Sequence, residues 1–288
     1  MKILIAGASG MIGSAVAPDL TNQGHEVVRL VRRTPVAGEV QWDPDAGTLD
    51  AAGLEGFDGV VHLATMPWPM RWTSESKERM RANRLATNSL LAENLARCKH
   101  KPRVLVCASG MGVYPSSGDQ VITEQSPLGS DFLAMLQRDG EAAALKASAA
   151  GIRVANLRIP AVLGGDALRR NMGRLGSGRQ WSSWVSRDEL VSIVNYVLVT
   201  DTLEGPVNPV SPNPVCNAEY AATLSRALGR KPGLPMPAFL LRLMLGEMAE
   251  ALILASRRIA PRKLLAAGYQ FRFPELEIAL RHELGVDV

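Results

Sequence analysis

Three glycines near the N-terminus, each three residues from the next, are the residues whose spacing most directly indicates chemistry. Gly7, Gly10 and Gly13 follow an apolar run at residues 3–6, and a helix-like pattern begins immediately after them. In such a loop the first glycine permits a tight turn, the second lets backbone amides approach a phosphate, and the third lets helix and strand pack closely. The positive N-terminal end of the helix then faces the anion. The loop predicts a seat for the pyrophosphate of a dinucleotide, with a purely structural turn as the alternative.

Two arginines at the end of the second predicted strand indicate which dinucleotide is bound. A site that selects NAD has an acidic residue about twenty positions after the glycines, where it binds the ribose 2′-hydroxyl. This chain has Arg32 and Arg33 there, and arginine can hold a 2′-phosphate through two hydrogen bonds. Ser9 in the glycine loop could add a hydroxyl donor. We therefore predict NADP as the cofactor, with NADPH bound more tightly than NADH; the alternative is that both arginines are solvated loop charges.

Histidines and cysteines are too few and too scattered to predict a metal site. The four histidines share no ligand spacing, and the three cysteines lie far apart: His25, His62, His100 and His282, and Cys98, Cys107 and Cys216. An odd number of distant cysteines also gives no disulfide framework. The cysteine at 107 lies in an apolar run, so we expect it in the core of a protein from a reducing compartment.

Strands and helices alternate through the first 160 residues, and this alternation must position the loops just described. Short apolar segments predict strands at residues 2–6, 26–31, 40–42, 59–64, 103–108 and 153–158. Helical patterns lie among them at residues 12–23, 74–97 and 131–149. Continuously apolar strands separated by helices predict an α/β fold, namely a Rossmann-type doubly wound parallel sheet covered on both faces.

The alternation ends near residue 160, which predicts a smaller, mostly helical C-terminal lobe. A glycine-rich loop at 164–178 is followed by a helix at 187–200 and a proline-rich stretch after residue 205. The predicted division is a dinucleotide-binding domain at 1–163 and a substrate lobe at 164–288, with 179–210 contributing to both. A Met- and Leu-rich stretch at 240–254 has helical spacing, which favours core packing over a ligand groove.

The composition argues against several classes of function. The 288 residues carry a net charge of +4, and no block of Lys and Arg is dense enough to predict nucleic-acid binding. No apolar run approaches the roughly 18 residues of a membrane-spanning helix. The first predicted strand begins at residue 2, so we expect no signal peptide. We expect a cytoplasmic protein that acts on a small molecule, as a monomer or a homodimer.

Several motifs resemble the extended short-chain dehydrogenase/reductases of the epimerase/dehydratase type. They are GASGMIG at 7–13, VVHLAT at 60–65, a serine after the fifth strand, and LRIPAVLG at 157–164. Other motifs resemble an atypical, epimerase-like branch that carries a C-terminal domain of unknown function and is sometimes described as a relative of a cell-division inhibitor. They are WDPDAGTLD at 42–50, CASGMGVYP at 107–115, GSGRQWSSWVSRDEL at 176–190 and the tail from residue 230. The resemblance covers nearly the whole chain.

The resemblance implies how NADP would be held. The adenosine and the phosphates would be bound by the glycine loop and the first arginine: Gly7, Ser9, Gly10, Met11, Ile12 and Arg32. The ribose path and the nicotinamide side would be lined by Leu63, Ala64, Thr65, Ala108 and Ser109, with the segment from Pro160 to Leu163 over the carboxamide. Residues 165–250 would form the substrate lobe.

The catalytic pair of that superfamily is missing from this chain. Its members use a Tyr with a Lys four residues later, where the Lys lowers the pKa of the Tyr and holds the ribose. None of the four tyrosines has a Lys at that distance: Tyr114 is followed by Gly118, Tyr196 by Thr200, Tyr220 by Leu224 and Tyr269 by Phe273. The helix expected to carry the pair has Leu133 and Gln137 instead.

Ser109 and Tyr114 are the remaining candidates for catalysis, because they follow the fifth strand at the edge where open α/β sheets bind ligands. Ser109 is predicted to bind a substrate carbonyl, with a loop cap as the alternative. Tyr114 is predicted to donate a proton, with packing over the cofactor as the alternative. Arg179 and Gln180 are candidates to face a substrate anion, or are structural residues of the lobe. Four tryptophans are candidates for an apolar pocket wall or for core packing: Trp68, Trp72, Trp181 and Trp184.

Two classes of function are consistent with these features. The first is an NADP-dependent, epimerase-like oxidoreductase whose substrate the sequence does not identify. The second is an NADPH-binding sensor or regulatory protein without turnover, which the missing Tyr and Lys favour.

Overall fold

The structure, a computed structural model, describes residues 1–66, 71–170 and 172–286. Strands and helices alternate in it through residue 159, as predicted. The strands are β1 (Lys2–Ala6), β2 (Glu26–Val31), β3 (Glu39–Asp43), β4 (Thr48–Leu49), β5 (Gly59–His62), β6 (Val104–Gly110), β7 (Val121–Ile122), β8 (Arg153–Ile159), β9 (Ala161–Leu163), β10 (Trp181–Ser182), β11 (Trp184–Ser186), β12 (Gly205–Val207), β13 (Val215–Cys216) and β14 (Arg258–Ile259). The α-helices are α1 (Gly13–Asn22), α2 (Ser74–Arg97), α3 (Phe132–Leu145), α4 (Arg187–Val199), α5 (Asn217–Ala227), α6 (Ala238–Leu245), α7 (Arg262–Ala266) and α8 (Leu276–Leu284).

Eight of these strands form one sheet in the order β12-β8-β6-β5-β1-β2-β3-β4. Neighbouring strands pair in parallel, except for the antiparallel edge pair of β3 and β4. The chain starts at β1, runs outward to one edge and then returns to build the other side, so the strand order reverses beside β1. This is the predicted doubly wound, Rossmann-type sheet. Its ligand-binding side is the edge where the carboxyl ends of the parallel strands meet.

Side chains that alternate along the strands divide the main core into two halves. On β1, Ile3 and Ile5 belong to a cluster that includes α1 and α4, whereas Leu4 belongs to a cluster that includes α2 and α3. All three side chains are fully buried. Because helices cover both faces of β1, the strand is a continuous apolar run and not an alternating one.

A second, smaller core lies in the C-terminal part of the chain. Leu163, Trp184, Leu224 and Leu280 are members of it, and they join β9, β11, α5 and α8. The segment between these elements returns to the main sheet, since α4 packs on α1 and β12 pairs with β8. The predicted domain boundary and the shared segment remain predictions.

The Met- and Leu-rich stretch at 240–254 does not follow the prediction of core packing. On α6, Leu241 is buried, but Leu243 and Met244 are 73% and 52% exposed. The spacing correctly predicted a helix, yet most of its apolar side chains face outward. Core packing is therefore wrong for α6, although Ala249 and Ala251 in the following turn are buried.

No helix in the described part of the chain combines the length and the apolar character that crossing a membrane requires.

His62, the last residue of β5, is buried where the sheet meets α2. Its Nε2 lies 2.9 Å from Asn88 Oδ1, and Asn88 Nδ2 donates to the Gly140 carbonyl. Since that amide oxygen can only accept, the ring carries its proton on Nε2. Burial, together with the positive charge of Arg84, lowers the pKa of His62 from 6.5 to about 4.

We expect acid to destabilise the fold through this histidine. Between pH 6.5 and about 4 the unfolded chain binds a proton at His62 that the folded protein excludes. The free energy of unfolding therefore falls as the pH falls across this window, by about 3 kcal/mol in total. Urea unfolding at about pH 7 and about pH 4.5 measures the loss. The variant His62→Gln, whose amide can still donate to Asn88, should lose less stability than the wild type; an equal loss would contradict this role.

Candidate functional site

A cleft of about 1390 Å³ opens at the carboxyl ends of the parallel strands. It follows the loops after β1, β2, β5, β6 and β8, on the side where doubly wound sheets bind ligands. Ordinary small-ligand pockets measure about 300–1,000 Å³, so this cleft has room for a dinucleotide and a second small molecule. The predicted cofactor residues that line it are Gly7, Ser9, Gly10, Met11, Ile12, Arg32, Arg33, Leu63, Ala64, Thr65, Ala108 and Pro160.

The glycine loop leaves no space for side chains at its first and last glycines. Gly7 has a φ of +83°, and a Cβ there would lie 2.6 Å from the backbone nitrogen of Ala64. A Cβ on Gly13 would lie 2.1 Å from the Gly7 carbonyl oxygen. These contacts confirm the predicted tight turn and show that the start of α1 packs closely against the loop that follows β1. Gly13, the first residue of α1, lines the cleft, so the positive end of the helix lies at the cleft, as an anion site requires.

The two arginines after β2 line the cleft but differ in their partners. Arg33 donates to both carboxylate oxygens of Glu39, at 2.6 and 2.7 Å. This hydrogen bonding is the main reason that the pKa of Glu39 is lowered. Arg32 is exposed at the cleft. Arg29, three residues earlier on β2, lines the same part of the cleft. The sequence did not indicate it, since nothing distinguishes a binding arginine inside a strand from an exposed one. Arg32 and Arg29 are thus the cations available to a phosphate here.

Leu163 is the predicted cofactor residue that the structure places elsewhere. It is 1% exposed and belongs to the core of the C-terminal part of the chain. Within β9 it pairs with Ser186 of β11. The chain lines the cleft from Ile159 to Val162 and leaves it at Leu163.

Ser109, near the end of β6, lies at the wall of the cleft and is held by a carboxylate behind it. The side chain is 8% exposed and lines the cleft. Its Oγ donates to Glu141 Oε1 on α3 at 2.6 Å, a short, charge-assisted hydrogen bond. The hydroxyl proton is thus directed away from the cleft, and the oxygen lone pairs are left for a partner in it.

Glu141 is in turn held by Arg158, which faces Ser109 across the pair of β6 and β8. Arg158 Nε and Nη2 donate to the two oxygens of Glu141 at 2.9 and 2.8 Å. The two side chains are 4% and 11% exposed. Burial opposes the charged guanidinium, but the hydrogen bonds and charge of Glu141 outweigh it and raise the pKa of Arg158.

Tyr114 does not face the cleft, contrary to its predicted role as a proton donor. Its side chain is fully buried, its hydroxyl donates to Asn208 Oδ1 at 2.9 Å, and it accepts from Arg158 Nη1 at 2.8 Å. Burial raises the pKa of the phenol, although Arg158 and Asn208 oppose this. Tyr114 thus links Asn208 to Arg158 in a buried chain of hydrogen bonds that orients Arg158 and, through it, Glu141.

Helix α3 carries Gln137 and Glu141 four residues apart, on the helix where the superfamily pair was expected. Gln137 is 3% exposed and lines the cleft, and its Oε1 has no hydrogen-bond partner among the described residues. Sequence reasoning named Gln137 but missed Glu141. The signal that could have identified it is the same four-residue spacing, counted onward from Gln137.

Arg84, on α2, is a buried cation that lines the cleft, and it was also missed. It is 9% exposed, lines the cleft beside Ser109, and donates through Nη1 to the carbonyl oxygen of Ala108 at 3.2 Å. Burial lowers the pKa of this guanidinium from its ordinary value, an effect that Cys107 and Glu141 partly offset.

The other predicted substrate contacts that the structure describes lie away from the cleft. Gln180 is 7% exposed and donates to the carbonyl oxygens of Leu175 and Ile253, which makes it a structural residue. Arg179 is exposed on the loop before β10. Trp72 packs edge-on against Phe132, and the ring nitrogen of Trp181 donates to Asp119. Trp184 is a core residue, and Trp68 lies outside the described residues. Across the described ranges, no group of three or more His, Cys, Asp or Glu side chains could hold a metal ion.

Comparison with known proteins identifies related chains over almost the full length. An epimerase family protein of Mycobacterium leprae is 36% identical over 97% of this chain and 94% of its own length. The human epimerase family protein SDR39U1 is 33% identical over 98% of this chain and 99% of its own.

Solved structures agree with this relationship. The crystal structure of human SDR39U1 (isoform 2) with NADPH is similar with a TM-score of 0.89 at 30% identity, and the match covers 99% of each chain. The nucleoside-diphosphate sugar epimerase of Corynebacterium glutamicum is similar with a TM-score of 0.83 at 34% identity over 99% of this chain and 58% of that one.

Family models match two stretches of the chain. Residues 236–283 match a domain of unknown function (DUF1731). Residues 3–207 match the NAD dependent epimerase/dehydratase family, in agreement with the doubly wound sheet and the glycine loop that begins it. The chain belongs to the NAD dependent epimerase/dehydratase family.

Proposed function

We propose that this protein is an NADP(H)-dependent, epimerase-like oxidoreductase that interconverts a secondary alcohol and a carbonyl compound. The observation that carries the proposal is the 2.6 Å hydrogen bond from Ser109 to Glu141, at the wall of a cleft that begins in a dinucleotide-binding loop. The human relative crystallised with NADPH supports the choice of cofactor.

The cofactor would be held along the carboxyl edge of the sheet. Gly7 and Gly13 keep the cradle free of side chains, so that backbone amides can contact the pyrophosphate. Arg32 would bind the 2′-phosphate of the adenosine ribose. When bound, the nicotinamide ring supplies a hydride acceptor or donor at C4.

A proton path for the reaction leads from the cleft through Ser109 to Glu141. For a secondary alcohol, the hydroxyl proton passes to Ser109 Oγ as Ser109 passes its own proton to Glu141 Oε1. The C–H bond breaks with its electron pair leaving as hydride, and a carbonyl remains. In the reverse direction Glu141 returns the proton through Ser109 to the carbonyl oxygen. Arg158 holds the carboxylate in place through two hydrogen bonds.

The experiment that tests this function is single-turnover transfer of tritium from C4-labelled NADPH to a panel of ketones. We expect transfer to at least one panel member. Tight NADPH binding with no transfer to any of them would favour the non-catalytic sensor instead. The missing Tyr and Lys pair is the observation on which that second candidate rests.

The cofactor preference makes a separate prediction at Arg32. The variant Arg32→Asp should narrow the ratio between the NADH and NADPH dissociation constants by about 10- to 100-fold, because a charge-assisted contact to the 2′-phosphate is replaced by repulsion. Calorimetric titration with both cofactors measures it. Arg97→Asp makes the same change in charge on an exposed residue at the end of α2 and should leave the ratio unchanged. Equal affinities of the wild type for NADPH and NADH would refute the preference.

A further inference from the structure

Arg84 is a buried cation at the cleft whose charge is not matched by a carboxylate. Its one hydrogen bond goes to the Ala108 carbonyl, and it forms no ion pair with any carboxylate among the residues that the structure describes. Both carboxylate oxygens of Glu141, the acid whose charge acts on Arg84, already accept hydrogen bonds from Arg158. A buried guanidinium without a matching anion is costly to the fold, which favours a ligand that supplies acceptors.

The fold makes room for this side chain at a specific place. Gly140 lies inside α3, and a Cβ there would come within 2.8 Å of both Cγ and Cδ of Arg84. Glycine inside a helix destabilises it relative to alanine. The absent side chain lets the Arg84 stem pass beneath α3 and brings the guanidinium to the cleft. Arg84 is thus placed there by two helices.

The strand order fixes where along a bound dinucleotide Arg84 lies. Arg32 follows β2, the glycine loop follows β1, and Ala108 lies at the end of β6. The sheet runs β2-β1-β5-β6, so Ala108 is three strand spacings, or about 14 Å, from the arginine end of the cleft. With the 2′-phosphate at β2 and the pyrophosphate at β1, the second nucleoside reaches β6.

We infer that Arg84 binds the nicotinamide nucleoside half of NADP(H), by donating to acceptor oxygens of its ribose or carboxamide. This inference rests on the proposed function for the identity of the dinucleotide. The guanidinium has five N–H donors, of which one is used by Ala108. Arg84 therefore anchors the end of the cofactor that carries the chemistry, while Arg32 anchors the other end.

The experiment compares two probes by calorimetry: NADPH, and 2′,5′-ADP, which has the adenosine end without the nicotinamide half. In Arg84→Met we expect NADPH to bind about 10- to 100-fold more weakly, as when hydrogen bonds to a charged group are lost, and 2′,5′-ADP to bind as in the wild type. Retained 2′,5′-ADP binding also shows that the variant is folded. Arg97→Met, on the same helix and exposed, should change neither affinity.

A second variant keeps the positive charge of Arg84 but displaces its side chain. Gly140→Ala puts a methyl group against the Arg84 stem and should also weaken NADPH selectively, by a smaller factor. Equal affinity of Arg84→Met and wild type for NADPH would overturn the inference, as would an equal loss for both probes. If Arg84→Met binds the two probes as expected but the wild-type protein transfers no tritium to any carbonyl compound, the inference about Arg84 stands and the proposed catalysis fails.

Discussion

Ser109→Ala is expected to lower the rate of tritium transfer by about 100- to 10,000-fold, the range that general acid–base groups contribute. Ser109 lies at the cleft wall, and Glu141 lies behind it with 11% of its side chain exposed. Alanine removes the hydroxyl that connects the cleft to this carboxylate. In the transfer from NADPH, Glu141 could then no longer pass a proton through Ser109 to the carbonyl oxygen of the substrate.

The measurement is single-turnover transfer from C4-labelled NADPH to the most reactive carbonyl compound of the panel, together with the NADPH dissociation constant. We expect the rate to fall and the dissociation constant to stay within about twofold, because the cradle does not depend on this hydroxyl. Ser9→Ala is the matched control: Ser9 lines the phosphate end of the cleft, so that its loss should affect binding and not the rate of the bound complex.

The role of Ser109 would be contradicted if the alanine variant kept more than about a tenth of the wild-type rate. A loss in rate of less than about tenfold is smaller than general acid–base catalysis contributes. Unchanged transfer would mean that another group supplies the proton. Gln137, whose side chain also lines the cleft near Gly110, could still hold the carbonyl oxygen with a hydrogen bond, but its amide cannot give up the proton.

Local patterns were sufficient to predict most of the sheet. The apolar runs predicted β1 and β2 with the observed bounds, and the helical pattern at 74–97 matches α2. The glycine spacing predicted the turn at Gly7 and the close packing at Gly13 because both depend on the absence of a side chain, which a sequence shows directly. The strands and the helix are set by residues close to them in sequence, and the glycines are visible in the sequence even though Gly7 packs against the distant Ala64.

The proposed proton path could not be predicted in the same way, because it depends on where a distant helix packs. Glu141 is 32 residues from Ser109 in sequence, and the two meet because α3 packs against the end of β6. Tyr114 illustrates the converse: its position after β6 suggested a cleft residue, but the chain turns inward and buries it under Arg158 and Asn208. Proximity to the right strand does not determine which way a side chain points.

The largest effect on stability is expected at the buried pair of Arg158 and Glu141. Arg158→Met should lower the free energy of unfolding by about 3–5 kcal/mol, because it leaves a buried carboxylate without its partner. Arg158 is 3% exposed and makes three of its hydrogen bonds to Glu141 and Tyr114. Urea unfolding near neutral pH measures the loss, and the slope with denaturant should stay the same if the folded state remains compact.

The double variant Arg158→Met with Glu141→Leu separates charge from packing. If the loss in the single variant comes from the stranded carboxylate, removing that carboxylate should recover much of it, since apolar residues of similar size can replace a buried ion pair at little cost. A double variant as unstable as Arg158→Met would show that lost packing and the lost contact to Tyr114 dominate. The recovered protein should still fail to transfer hydride, because Ser109 would donate to no carboxylate. Stability regained without activity would place the pair in the proton path and not merely in the core.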